Sequence, residues 1–212
     1  DNKQYILSFL GMEGKWLLNK GKHSDMCFII NNNIVIWYDD SRHFGTVESV
    51  DRKMLKHKMR NIGPDIMSSK MTYELFKERI ESVRNKDMLL SKMMLNQKYI
   101  SGIGNYLRSE ILFLAKISPL RSGKSLNQTE IKLLVKCIKQ VLEKAIELGG
   151  SSISDYKQAD GSLGYFQNVH NVYGCAGKEC KICDKLILEK RLGRGELTAA
   201  LQSDLGDLYR SK

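Results

Sequence analysis

The chain has 212 residues, 42% of them hydrophobic, which is enough to bury a sizeable core. Its 34 Lys and Arg residues outnumber its 24 Asp and Glu residues, and the net charge of +10 favours a polyanionic partner. No stretch approaches the roughly 20 apolar residues that span a bilayer, and five cysteines, of which three cluster, argue against a secreted disulfide framework. We expect a soluble intracellular protein without a membrane partner, in the nucleus, the cytoplasm or a viral compartment.

The first 50 residues have the pattern of β-structure. The runs YILSF, MCFII and IVIWY are strand-like. The last two flank Asn31, Asn32 and Asn33, which tolerate left-handed turn geometry and predict a hairpin. Residues 51–70 are basic and contain the breaker Gly63-Pro64, so we expect a linker or surface crossing there.

Helical signals follow from Thr72 onward. Thr72 is placed to cap a first helix, and the spacing of apolar residues predicts further helices over 87–97 and 106–115. Asn127 and Glu130 form the pattern of a capping box for a last helix, which is predicted to end at Gly149-Gly150. The sequence therefore indicates one helical domain in the middle of the chain.

The segment GIGNYLRSE (102–110) lies between two of these helices. Gly102 and Gly104 permit positive φ and put no Cβ in the way of a ligand. Asn105 then opens the next helix, where unpaired N–H groups and the helix dipole favour a phosphate. The pattern predicts a clamp for a nucleic-acid backbone, although an ordinary αα-hairpin also needs such a turn.

The C-terminal region contains a CxxC pair, Cys180 and Cys183, before the short apolar run LIL, which is similar to half of a zinc ribbon. A structural zinc site needs four ligands, and no Cys or His follows Cys183. His170 or Cys175 would complete a site only with a changed topology. We therefore expect no cofactor and a zincless finger.

The stretch QKYISGIGNYLRSEILFLAKISP (97–119) closely resembles the helix-two-turn-helix signature of the formamidopyrimidine-DNA glycosylase and endonuclease VIII family, particularly its endonuclease VIII-like branch. Six further segments agree in order and spacing: FLGMEG, KHSDMCFI, DDSRHFG, IGPDIM, ELGGSSISDY and VYGCAGKECKIC. The resemblance implies an α+β fold with three domains: the remainder of an N-terminal β-sandwich (1–70), a helix-two-turn-helix DNA-binding domain with a lesion loop (71–164) and a finger-like C-terminal hairpin (165–212).

The resemblance also implies a function. Family members are base-excision repair enzymes, DNA glycosylases with AP lyase activity that flip an oxidised base out of damaged DNA, and we expect a monomer that binds duplex or single-stranded DNA. By position in the family motifs, Met12, Arg42 and Phe44 match residues that fill the vacated stack, His23 and Asn105 match backbone contacts, and Arg194 matches a catalytic arginine that grips phosphates at the finger tip. Without the resemblance, Met12 and Phe44 would be expected in a core.

One departure concerns catalysis. The family uses an N-terminal proline and a neighbouring Glu for Schiff-base chemistry, whereas the only prolines here are Pro64 and Pro119. One alternative is that a catalytic N-terminal segment precedes these residues, and the other is a truncated, catalytically inactive DNA-binding homologue. A ribosomal or topoisomerase-like protein is a third alternative, which the FLGMEG and DDSRHFG segments disfavour because such a protein needs no residues to fill a vacated stack.

Overall fold

The computed structural model has a mixed α+β architecture and divides into two compact units. It describes residues 3–11, 13–31, 33–68, 71–82, 88–152, 159–160, 162–193 and 196–201, the last 9 of these (191–193 and 196–201) by their backbone alone. Unit 1 consists of Asp1–Arg60 and Ala145–Asn168, and unit 2 consists of Asn61–Lys144 and Val169–Lys212.

Unit 1 contains two small antiparallel sheets. Strands β1 (Gln4–Phe9) and β5 (Thr46–Asp51) form one, and β2 (Lys15–Leu17), β4 (Ile34–Asp39) and β3 (Ser24–Ile30) form the other in the order β2-β4-β3. The predicted hairpin is confirmed, since β3 pairs with β4 and Asn31 in the turn has a left-handed φ of 50°. The rings of Trp16, Phe28 and Tyr38 pack against one another at tilted angles on the three-stranded sheet, with Tyr38 buried and the other two half-buried.

A helix, α1 (Arg52–Met59), lies where the basic composition predicted a linker or surface crossing; it lies on the surface, but its helical structure was not predicted. The Asp51 carboxylate accepts the N–H of Met54 at 2.7 Å and caps the helix. None of its residues is buried. The sequence offers no apolar periodicity here, which is why the helix was missed.

Unit 2 is built on helices α2 (Tyr73–Ser82), α3 (Leu90–Leu95), α4 (Asn105–Leu114) and most of α5 (Gln128–Glu147). The predicted caps are confirmed: the Thr72 hydroxyl accepts the N–H of Leu75 at 3.3 Å, and Asn127 and Glu130 exchange bonds of 2.9 and 2.8 Å. Gly149 and Gly150 take positive φ just after α5. Short 3-10 turns occupy Gly123–Ser125 and Phe166–Val169.

The helical core of unit 2 is apolar and closely buried. Its fully buried side chains include Phe76, Leu90, Met93, Met94, Ile111, Leu134 and Ile138. Towards the C-terminus, β6 (Ile187–Gly193) and β7 (Glu196–Leu201) form an antiparallel hairpin. Among the residues that the structure describes, no helix is long and apolar enough to cross a membrane.

Candidate nucleic-acid interface

The loop between α3 and α4, residues 97–105, is called the glycine turn below. Gly102 has a φ of +95°, a conformation that glycine adopts without strain. The Gln97 side chain closes the turn: its amide nitrogen donates to the carbonyls of Leu95 (3.1 Å) and Ile103 (3.0 Å), and its amide oxygen accepts the N–H of Gly102 (2.9 Å). One side chain therefore fixes both ends of the turn.

A second segment, IGPD, is bonded along the glycine turn. The N–H of Gly63 donates to the Gln97 carbonyl at 2.7 Å, and the N–H of Ser101 donates to the Pro64 carbonyl at 3.0 Å. A Cβ at Gly63 would lie 2.6 Å from the backbone of Tyr99, so only glycine permits this close approach. The turn is therefore held both by its own Gln97 side chain and by hydrogen bonds to a separate segment of the chain.

Asn105 is the first residue of α4 and is half-buried. Gly104 precedes it as N-cap with φ −103° and ψ −177°, so of the two glycines that permit positive φ only Gly102 adopts it. Gly104 has no side chain to cap the helix, and the space that its Cβ would occupy is open. The positive end of the helix dipole at Asn105 is thus approachable by an anion.

The far side of the α4 N-terminus is supported by residues 170–173. Tyr106 stacks on His170 with a centroid distance of 5.7 Å, and Tyr173 packs edge-on against the His170 ring at 5.5 Å. Burial lowers the pKa of His170, which keeps its ring neutral at physiological pH. The cluster fixes the position of the first turn of α4 without adding charge to it.

Glu110, almost completely buried on α4, organises the same segment. Its carboxylate accepts the backbone N–H groups of Asn171, Val172 and Tyr173 at 2.9 Å each, and the Asn171 side chain also donates to it. The Glu110 carboxylate thus satisfies three backbone N–H groups, which would cost free energy if they were buried without a hydrogen bond. Sequence reasoning did not single out Glu110; the signal was a carboxylate within the apolar run of α4.

The second feature of interest is in unit 1, at residues 41–45, called the Asp40 loop below. Arg42 and Phe44 are both exposed, Phe44 to 65%, which excludes a core role for Phe44 in this structure. The Arg42 guanidinium lies over the Phe44 ring, 4.8 Å from its centroid. The loop thus presents a stacked cation and aromatic ring to solvent.

Asp40, buried at the end of β4, holds this loop. Its carboxylate accepts the N–H groups of Gly45 (2.8 Å) and Arg42 (3.2 Å) and the Tyr38 hydroxyl (3.3 Å). The Gly45 N–H, with smaller help from the other donors, lowers the pKa of Asp40. Glu13 contacts the Ser41 hydroxyl and, at 3.3 Å, the Arg42 guanidinium.

His23 precedes β3 and is half-buried. Its N–H donates to the Asp39 carboxylate at 2.9 Å, and its carbonyl accepts the N–H of Asp40 at 3.2 Å. The neighbouring carboxylates of Asp39 and Asp40 therefore anchor the backbone of His23 and of Arg42 from the same end of β4. Within unit 1 the structure thus connects His23 to Arg42 through these neighbouring carboxylates, and Arg42 to Phe44 by direct contact.

Comparison with known proteins identifies the family. The profile of the formamidopyrimidine-DNA glycosylase H2TH domain matches residues 62–157. Formamidopyrimidine-DNA glycosylase of Zymomonas mobilis is 36% identical over 198 residues, covering 91% of this chain and 72% of that relative. This chain belongs to the formamidopyrimidine-DNA glycosylase family.

Solved structures of the family agree with the fold. MutM (Fpg) of Thermus thermophilus has a TM-score of 0.82 at 29% identity, covering 97% of this chain and 77% of that one. Lactococcus lactis Fpg in complex with DNA containing an abasic site has a TM-score of 0.78 at 30% identity, with 97% and 76% covered. The α+β fold and the family inferred from the sequence are confirmed; the endonuclease VIII-like branch stays a prediction.

Of the six predicted site residues, His23, Arg42 and Phe44 are in unit 1 and Asn105 is in unit 2. Met12 and Arg194 lie outside the described residues. Their expected roles in this glycosylase family member stay predictions.

The CxxC pair contains two potential metal ligands, Cys180 and Cys183. Cys180 is buried, with the N–H of Ile182 pointing at its sulfur at 3.4 Å, and Cys183 is exposed on the same turn. Within the described part of the chain, no group of three or more His, Cys, Asp or Glu side chains is arranged to hold a metal ion. Two thiols alone do not fit the four-ligand zinc site of a ribbon.

Proposed function

We propose that this protein is a base-excision repair DNA glycosylase with AP lyase activity that acts on damaged DNA. The observation that carries the proposal is the glycine turn, which is bonded on two sides and places Asn105 at an open helix N-terminus. A rigid, approachable helix end of this kind suits a fixed phosphate. Lactococcus lactis Fpg, which shares the fold, is bound in its solved structure to DNA containing an abasic site.

The Asp40 loop supports the base-flipping part of the proposal. An extruded base leaves a gap in the stack, and filling it with a flat, apolar or guanidinium group offsets part of the unstacking cost of a few kcal/mol. Arg42 and Phe44 are such groups, and they are already stacked on each other and exposed. Met12 is proposed to serve as a further stack-filling residue, and Arg194 as the phosphate grip.

Catalysis has two alternatives that an experiment distinguishes. Incubation with an abasic-site duplex and borohydride traps a Schiff base if the protein supplies an amine nucleophile. A covalent adduct, located by mass spectrometry, is expected for a glycosylase with lyase activity. Binding of the abasic duplex without an adduct would instead assign the protein as a DNA-binding homologue without catalysis. In either case we propose that the protein acts inside the cell.

Asn105→Ala tests the recognition site directly. The variant removes a side-chain hydrogen bond to a charged phosphate, so affinity for an abasic duplex is expected to fall about tenfold in fluorescence anisotropy. Because the amide is neutral, the salt dependence is expected to change little. The control is Asn33→Ala, an exposed asparagine in the β3–β4 turn. Equal affinity for Asn105→Ala and the wild type would refute the site.

For the finger we propose a hairpin that holds no zinc. The proposal is supported by the sequence after Cys183, which contains no Cys or His. Protein purified without chelators is expected to contain much less than one zinc per chain by elemental analysis, and chelator treatment is expected to leave Tm unchanged. One tightly bound zinc per chain would refute the proposal and would point to His170 or Cys175 as further ligands.

A further inference from the structure

Helix α1 carries a charge pattern that its own fold does not explain. Residues 52–60 contain five Lys or Arg residues and one His, with no carboxylate among them. That is half of the net charge of +10 in nine consecutive residues. The helix has no buried residue, so packing against the core does not account for its composition.

The positions of these cations make the helix costly when alone. Arg52 and Lys56, and Lys56 and Arg60, are spaced by four residues, so like charges neighbour each other along one face. The helix dipole favours cations in the last turn but disfavours them in the first, where Arg52 and Lys53 lie and where there is no acidic residue. The Asp51 carboxylate at the N-cap offsets part of this cost at the N-terminal end.

Among the ion pairs of the described residues, one joins a cation of this helix to a carboxylate. Lys58 contacts the Glu48 carboxylate on β5, on the side that packs against the sheet. Lys53 and Lys56 are exposed and take part in none of those ion pairs. Together with Arg60 they form an exposed stripe of positive charge, called the α1 stripe below.

We propose that the α1 stripe is a second contact surface for the sugar-phosphate backbone of DNA, separate from the glycine turn. Residues four apart on a helix rise about 6 Å, a spacing compatible with successive phosphates, and binding would relieve the repulsion along the stripe. The contact is independent of base damage, because phosphates carry no sequence or lesion information. It rests on the proposed function only in taking DNA as the polyanion.

The test is the double variant Lys53→Gln/Lys56→Gln, measured on an undamaged duplex and on the same duplex with an abasic site. Each lost phosphate contact reduces the slope of log K against log salt by about 0.9. We expect the slope to fall by about 1 to 2 on both duplexes, with the preference for the abasic duplex unchanged. Tm is expected to stay equal or rise by about 1 °C, since unfavourable charges are removed.

The matched control is Lys136→Gln/Lys139→Gln, which removes two exposed lysines at the same spacing from α5. We expect the wild-type slope in this control. An unchanged slope in the α1 variant, or an equal decrease in the α5 variant, would overturn the proposal. So would loss of binding to phosphatidylserine vesicles with an unchanged DNA slope, which would assign the stripe to a membrane surface. Absence of any preference for the abasic duplex in the wild type would refute the proposed function but not this contact.

Discussion

The glycine turn and the Asp40 loop are held in opposite ways. The turn is bonded by the Gln97 amide and by the IGPD segment, with six hydrogen bonds of 2.7–3.1 Å among backbone groups and the side chains of Gln97 and Ser101. The Asp40 loop depends on two carboxylates beneath an exposed tip: Asp40 accepts the N–H groups of Arg42 and Gly45, and Glu13 contacts the side chains of Ser41 and Arg42. A surface that grips a phosphate is best kept in one position, whereas residues that enter a base stack must leave the solvent. The two modes of support match these two tasks.

The largest effect is expected from Gln97→Ala, which removes three of the bonds of the turn at once. Because Asn105 and the α4 N-terminus then lose their fixed position, affinity for an abasic duplex is expected to fall about tenfold, with little change in Tm. Fluorescence anisotropy and thermal unfolding measure the two quantities. Gln140→Ala, an exposed glutamine on α5, is the control.

Gln97→Glu separates positioning from general loss of structure. The carboxylate still accepts the N–H of Gly102 but faces the carbonyls of Leu95 and Ile103, to which it donates nothing. Protonation restores one donor, so the affinity of the variant relative to the wild type is expected to recover as pH falls towards about 4.3, the ordinary pKa of Glu. A ratio that is constant with pH would contradict the role given to Gln97.

Features that depend on residues close together in the chain could be predicted from the sequence, whereas features that join residues far apart in the chain could not. The Asn127–Glu130 capping box, the hairpin at Asn31 and the position of Asn105 depend on neighbouring residues, and all three are as expected. The anchoring of residues 171–173 by Glu110 joins groups 61 to 63 residues apart, which no local pattern reveals. Helix α1 was missed for a different reason: its signal was helix propensity with a cap at Asp51, without periodicity.

The site shows the same division. Asn105 was predicted from the helix start, and Arg42 and Phe44 from resemblance to the family motif. Gln97, which fixes the turn, was not predicted, because its partners are main-chain groups whose positions follow only from the fold. Asp39 and Asp40 were likewise missed as the anchors of His23 and Arg42.

A smaller effect is expected from Asp40→Asn. The amide retains one acceptor but turns a donor towards the N–H groups of Arg42 and Gly45, so the loop loses part of its support. The preference for an abasic over an undamaged duplex is expected to fall about fivefold, whereas the salt dependence stays as in the wild type because no phosphate contact is lost. A changed salt slope with intact preference would show that the loop contacts the backbone instead of the stack.

The same carboxylate makes the order of the Asp40 loop depend on pH in a defined direction. The folded-state pKa of Asp40 is lowered, first by the Gly45 N–H, so its contribution to stability is complete above the unfolded value of about 3.9 and is lost as pH falls through the folded value. The amide signal of Gly45 in NMR spectra is therefore expected to shift only below about pH 3.9, and to lose this step in Asp40→Asn. A step above about pH 4, or one that persists in the variant, would mean that a group other than Asp40 holds the Gly45 end of the loop.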